Sequence, residues 1–130
     1  HACLKSGVGL LTTHVPKCGV DILQTSVPEA MCMPDNSNQM LTHLPDIQAY
    51  NVIAIGPGIG RDLSTANMFC QLLKKSDVPM VIDADAINIL SENPDWTSHI
   101  PKGSILTPHI KEFDRLMGDE PLTILIGRLP

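Results

Sequence analysis

The chain has 130 residues, 43% apolar but only 3% aromatic, which allows one modest and mainly aliphatic core. A formal net charge of −5 excludes a nucleic-acid binder working through a basic stripe, because nothing neutralises a row of phosphates. No apolar run approaches the length of a membrane span, and the four cysteines (Cys3, Cys18, Cys32, Cys70) have neither a C-x-x-C pair nor zinc spacing.

Residues 8–15 (VGLLTTHV) are β-rich and predict a strand. Residues 33–44 are the most polar stretch and predict a surface connection entering a helix. Residues 51–56 (NVIAIG) form a short apolar run before glycines, the pattern of a buried strand. Residues 62–75 predict a helix. There Leu63, Ala66, Cys70 and Leu73 recur at helical spacing, and Lys74 and Lys75 sit where the helix dipole favours cations. Residues 79–83 (PMVID) predict the next strand, and residues 86–90 a short helix that Asp85 is placed to cap. Residues 104–107 (SILT) predict another strand. Residues 109–117 predict a last helix with Ile110, Phe113 and Leu116 on one face. Trp96, shortly after Pro94, reads as a packing anchor, and His14, His43 and His99 lie in contexts with no chemical signal. Alternating strands and helices imply a parallel sheet with helices packed on it, and such sheets bind ligands at the carboxyl ends of their strands.

Three motifs fall at those ends. In residues 56–60 (GPGIG), Gly56, Gly58 and Gly60 allow positive φ and close backbone approach at a strand-to-helix turn. The helix start beyond them offers N–H groups to an anion. The competing reading is a tight turn and nothing more. A dinucleotide fingerprint is suggested by Asp83 further along, but the spacing is G-x-G-x-G rather than G-x-G-x-x-G. In residues 83–88 (DADAIN), Asp83 and Asp85 could bind Mg²⁺ or hold a hydroxyl. Equally, Asp85 could cap a helix while Asp83 fixes the loop. In residues 106–109 (LTPH), His109 and Glu112 can share the first helical turn, as a hydrogen-bonding pair for a phosphate or carbonyl or simply as a cap. No C/H/D/E spacing predicts a protein-held metal.

Taken in order, these motifs resemble the NAD(P)H-hydrate dehydratases, relatives of the ribokinase-like sugar and vitamin kinases. Residues 2–12 (ACLKSGVGLLT) resemble the family's A-L-R-S-G-A-G-L-V-T, and residues 28–31 (PEAM) its P-E-x-M. Residues 56–60 resemble G-P-G-L-G, residues 81–88 (VIDADAIN) V-I-D-A-D-A-L-N, and residues 106–116 (LTPHIKEFDRL) L-T-P-H-x-G-E-F-x-R-L. The resemblance covers residues 2–119 and implies an α/β, ribokinase-like three-layer sandwich with a mainly parallel sheet, incomplete at both ends. On this view residues 1–130 are a single partial domain with an unmatched tail at 120–130.

The resemblance also implies a hydro-lyase that uses ATP or ADP, with Mg²⁺, to remove water from hydrated NADH or NADPH. Phosphorylation of the ring hydroxyl would precede loss of phosphate. Carried over, Gly56, Gly58, Gly60, His109 and Glu112 would line the substrate site, and Asp83, Asp85 and Asn88 would support it. The sequence departs from the family at Ile110 and Lys111, where Pro-Gly is common. It also contains no G-x-G-D, the loop that holds nucleotide phosphates and supplies an Asp thought to activate the hydroxyl. The catalytic residue is therefore unassigned, and these 130 residues alone are expected to be inactive pieces of a longer enzyme. Two other readings share the same features: a ribokinase-like kinase of a vitamin precursor or sugar, and a non-catalytic dinucleotide-binding module. A cytoplasmic location is expected from the scattered thiols, and a homo-oligomer from an open sheet edge. Neither nucleic acid nor membrane is expected as a partner.

Overall fold

Short apolar strands, each paired in parallel, organise both parts of the chain in a computed structural model that describes residues 1–118. Two units are distinguished, His1–His43 and the part from Leu44 onward. In the first, α1 (Ala2–Lys5) precedes β1 (Thr12–Val15), which pairs with β2 (Met31–Pro34), Thr12 opposite Met31 and Val15 opposite Pro34. A parallel pair needs a crossover, and here it is a 3-10 turn, Lys17–Gly19, followed by α2 (Val20–Ser26). Only half of the predicted 8–15 strand forms, since Val8 and Leu10 are exposed beside Gly7 and Gly9. The helix expected to follow the polar stretch at 33–44 is absent: residues 35–52 contain none. Asp35 takes the backbone donors of that stretch, and a side chain that satisfies them offers the chain an alternative to a helix.

In the second unit the strands β3 (Ile53–Ile55), β4 (Met80–Ile82) and β5 (Ile105–Leu106) lie in the order β3-β4-β5. Ile55 pairs with Ile82, and Ile82 with Leu106. The predicted 104–107 strand is bonded along its length, because Ser104 Oγ accepts from Met80 N–H and Thr107 N–H donates to the Ile82 carbonyl. Strand alternation places Ile55, Met80 and Ile82 on a buried face, while Ala54 and Ile105 on the other face are exposed.

The buried face meets α3 (Leu63–Lys75) and α4 (Ala84–Glu92) in a core of Met68, Phe69, Leu72, Leu73, Ala86, Ile87, Ile89 and Leu90. Each of these side chains other than Ala86 stabilises the fold by roughly 1.5–3 kcal/mol through removal from water. The buried stripe of α3 is thus Thr65, Met68, Phe69, Leu72 and Leu73, rotated from the predicted Leu63, Ala66, Cys70, Leu73 face. Leu63 is exposed. The larger Met68, Phe69 and Leu72 occupy the neighbouring stripe and bury more area there. Trp96 is half-buried in the 3-10 turn Pro94–His99, which packs against α3 and α4. Last among the described elements is α5 (Ile110–Met117), set against α4. Its predicted apolar face holds only in part: Phe113 and Leu116 are half-buried, but Ile110 is exposed and Glu112 is the buried residue. The tail at 120–130 lies outside the described residues.

Candidate functional site

Because β3, β4 and β5 are parallel neighbours, their carboxyl ends emerge side by side, and each leads directly into one of the three motifs. The glycine loop follows β3, residues 83–88 follow β4, and residues 107–109 follow β5. The middle segment ties the other two together.

The three glycines of the loop have different jobs. Gly56 has φ +138°, and a Cβ there would lie 1.7 Å from the Asp83 carbonyl oxygen. It is the point where two strand ends touch, so its role is backbone contact. Gly60 has φ +76°, and its N–H donates to Asp85 Oδ2 at 2.9 Å. Gly58, at φ +70°, is exposed, and a Cβ there would meet nothing within 4 Å. Of the three, Gly58 alone presents open space to a ligand. The Ile59 N–H returns to the Gly56 carbonyl at 3.3 Å and closes the turn.

The capping reading of this motif places Asp85 at the start of α4, and the structure gives that position to Asp83 instead. Asp83 is the N-cap, and its Oδ1 accepts from Ala84 N–H at 2.8 Å. Between the two acids Ala84 adopts φ +47°, the one positive φ at a non-glycine residue among those described. Left-handed backbone at alanine costs about 1–2 kcal/mol. That local turn frees Asp85 from capping and leaves its carboxylate on the glycine loop. Further along α4, Asn88 Oδ1 accepts from Arg115 Nη1 on α5. With one oxygen each engaged by a backbone N–H, Asp83 and Asp85 form no cation cage of their own. Among the described residues no group of three His, Cys, Asp or Glu side chains converges.

His109 and Glu112 form a reciprocal cap on α5. His109 Nδ1 accepts from the N–H groups of Lys111 (3.1 Å) and Glu112 (3.4 Å), and Glu112 Oε2 accepts from His109 N–H at 3.0 Å. A ring nitrogen that accepts carries no proton, so the proton sits on Nε2, 3.2 Å from Glu112 Oε1. Capping, the plainer of the two readings of this pair, is what the geometry shows. For His109 to donate to a ligand, Nε2 must exchange Glu112 for it. The ring is exposed and can do so without disturbing the core.

Sequence reasoning missed a second polar cluster, in the first unit. Asp35 is 1% exposed and accepts from Ser37 N–H, Thr42 N–H, Thr42 Oγ1 and His43 N–H, all at 2.7–3.0 Å. His14 Nε2 lies 3.2 Å from its Oδ2. Burial alone would raise the Asp35 pKa, but the donors together outweigh it and hold the carboxyl well below the usual range. Burial lowers the His14 pKa below its ordinary 6.5 and outweighs the attraction of Asp35, so the pair is a neutral imidazole on a carboxylate. The D-x-S pattern of Asp35 and Ser37 after a strand is an Asx-turn signal that could have pointed to it. The surface pairing of Arg61 with Glu92 at 2.9 Å and the bond from Arg115 to Asn88 were likewise not anticipated, although the resemblance places the turn from Ile110 to Arg115 beside the substrate site.

Comparison with known proteins shows the family and the fold. The family model described as NAD(P)H-hydrate dehydratase, of carbohydrate-kinase type, matches residues 1–124. The ADP-dependent (S)-NAD(P)H-hydrate dehydratase of Staphylococcus aureus is 35% identical over 90% of this chain and 42% of its own length. That of Listeria monocytogenes is 38% identical over 88% of this chain and 41% of its own. The bifunctional NAD(P)H-hydrate repair enzyme of Moorella thermoacetica is 34% identical over 98% of this chain and 26% of its own. A crystal structure of a ribokinase-like superfamily protein from Enterococcus faecalis superposes with a TM-score of 0.73 at 29% identity, over 88% of this chain and 40% of that one. The chain therefore spans about two-fifths or less of these proteins. Its parallel α/β architecture is ribokinase-like, and the chain belongs to the NAD(P)H-hydrate dehydratase family.

Proposed function

We propose that this chain carries part of the substrate-facing wall of an enzyme that dehydrates hydrated NADH or NADPH at the expense of ATP or ADP. One observation carries the reading. Three family motifs sit on three adjacent parallel strand ends, and the central one is hydrogen-bonded to the glycine loop and to α5. Open-sheet proteins bind ligands there. When bound, ATP or ADP would supply a phosphoryl group to the ring hydroxyl of the hydrated dinucleotide, and that oxygen would then leave the ring as phosphate. What this chain supplies is binding and orientation. The open apex at Gly58 admits close approach, and the exposed edge of His109 offers an Nε2 proton to a substrate oxygen once Glu112 releases it. Glu112, buried and hydrogen-bonded to the backbone, returns His109 to one orientation. Asp83, Asp85 and Asn88 hold the three loops together.

Mg²⁺ belongs, on this reading, with the nucleotide's phosphates, because Asp83 and Asp85 have each committed an oxygen to backbone. Among the described residues no helix is long and apolar enough to cross a membrane. Self-association through the exposed face bearing Ala54 and Ile105 completes the reading, and sedimentation of the protein measures it directly.

The test is recovery of NADH absorbance from hydrated NADH by the longer enzyme that contains these residues, with and without ATP or ADP. Nucleotide-dependent recovery supports the proposal. Phosphoryl transfer to a hydroxymethylpyrimidine or thiazole alcohol, without recovery, would instead make this a vitamin-precursor kinase. Tight binding of intact NADH with no nucleotide dependence would make it a binding module.

A further inference from the structure

We infer that Asp85 is a positioning residue for the substrate: its carboxylate fixes the glycine loop in its receptive shape by holding the Gly60 N–H. The inference rests on the proposed function for its ligand, but its geometry stands independently.

Three observations converge on it. First, the 2.9 Å bond from Gly60 N–H to Asp85 Oδ2 joins residues 25 apart in sequence, so it is a tertiary fastening and not part of a local turn. Second, the loop is pinned at its other end as well, where Gly56 lies directly on the Asp83 backbone. With both ends held, Gly58 is left as a defined open apex. Third, the left-handed φ at Ala84 is the cost of the arrangement. An ordinary helix start would let Asp85 cap α4 or face solvent. Instead Asp83 caps, the backbone turns through an unfavourable region at Ala84, and Asp85 reaches the loop. Strain of this kind persists only where the surroundings over-determine it, and it collects at functional sites.

The arrangement changes what the loop can bind. A nest of backbone amides holds phosphate with free N–H groups. Here the Gly60 amide is already given to a carboxylate, and Asp62 and Asp83 lie beside the loop, with a Cβ at Gly60 coming within 3.3 Å of Asp62 Oδ2. The adjacent cation, Arg61, is turned to Glu92. The loop is therefore shaped by Asp85 to receive an uncharged, hydrogen-bonding part of the dinucleotide, with its pyrophosphate placed elsewhere.

The experiment compares D85A and D85N with the unaltered protein, all in the longer enzyme that contains these residues, in turnover of hydrated NADH, together with hydrogen exchange of the Gly60 amide. Asparagine keeps an acceptor oxygen at the same reach and removes the charge. Expected for D85A are a Gly60 amide that exchanges faster and a KM for the dinucleotide raised roughly tenfold, the scale of one charge-assisted hydrogen bond. The KM for ATP or ADP should stay unchanged. D85N should recover most of the loss and restore Gly60 protection. Equal losses in D85A and D85N, or a D85A whose Gly60 amide is as protected as before, would overturn the inference. So would a D85N that binds the dinucleotide more tightly with a steeper salt dependence, since that would put phosphate on the loop. If the enzyme that contains these residues turns over no hydrated dinucleotide, the proposed function fails, while Gly60 protection still decides whether Asp85 holds the loop.

Discussion

Gly56→Ala offers a quantitative check on how the strand ends are joined. The native φ of +138° lies in a region that alanine adopts at a cost of about 1–3 kcal/mol. The added Cβ would stand 1.7 Å from the Asp83 carbonyl oxygen, and because that neighbour is backbone it cannot swing aside. Separating the end of β3 from the start of α4 adds about 1–3 kcal/mol of overpacking. Together these give about 2–6 kcal/mol, a large part of the roughly 5–15 kcal/mol that a domain of this kind commands. Gly58→Ala is the matched control. It shares a positive φ but meets no atom within 4 Å, so about 1 kcal/mol is expected. In thermal denaturation, at about 4 °C per kcal/mol for this size, G56A should melt at least about 8 °C lower and G58A about 4 °C lower. For ligand binding the ranking reverses among folded variants: G58A should weaken the dinucleotide at near-normal stability. Equal melting shifts for the two variants would refute the assignment of separate roles.

Acid should loosen the first unit in two stages. Both His14 and Asp35 have folded pKa values below their unfolded ones, so each contributes stability that is complete above the unfolded value and is lost as pH falls. The first loss begins below about pH 6.5, as His14 takes up a proton in the unfolded chain, and the second below about pH 4, as Asp35 does. Amide exchange of residues 37–43 measured against pH reports it, and a flat profile would contradict the pairing. Ala84→Gly should relieve the left-handed strain and stabilise by up to about 1 kcal/mol in urea denaturation; destabilisation would show that the strain is illusory. Glu112→Ala removes half of the α5 cap and leaves the His109 N–H without its acceptor, and should cost about 1–2 kcal/mol; E112Q, which keeps one acceptor oxygen for two facing donors, should fall between the two. Arg61→Ala should cost less than about 1 kcal/mol, because its pairing with Glu92 is exposed and screened.

The parallel pairing of β3, β4 and β5 could be read in the sequence because each apolar run is short, bounded by Gly, Asp or Thr-Pro, and separated by a helical stretch; that the three are immediate neighbours is a finding of the structure. The placing of three motifs at strand ends follows from that pattern alone. Other features were hidden because they depend on contacts distant in sequence. Nothing in residues 83–88 distinguishes which aspartate caps α4; the choice is made by Gly60, 25 residues earlier, and by a backbone turn at Ala84 that alanine does not announce. Asp35 looked like part of a polar connection because, apart from nearby donors in its own stretch, its histidine partner His14 comes from a different segment. The stripe on α3 was misplaced by one position because Leu63 and Phe69 serve adjacent faces, and only the sheet decides which face is inside. The two β1–β2 strands are half-exposed and too short for a clear alternation. The family resemblance, by contrast, was carried by local motifs, and those are what a sequence preserves in plain view.

On the proposed function, the three strand-end motifs form a single surface for the hydrated dinucleotide. Backbone amide shifts during titration with hydrated NADH measure this most directly. Coupled, saturable shifts at Gly58, Ile59, Ala84, Asp85 and His109, with one shared dissociation constant, are predicted. Shifts confined to one loop, or centred on residues away from the ends of β3, β4 and β5, would contradict it.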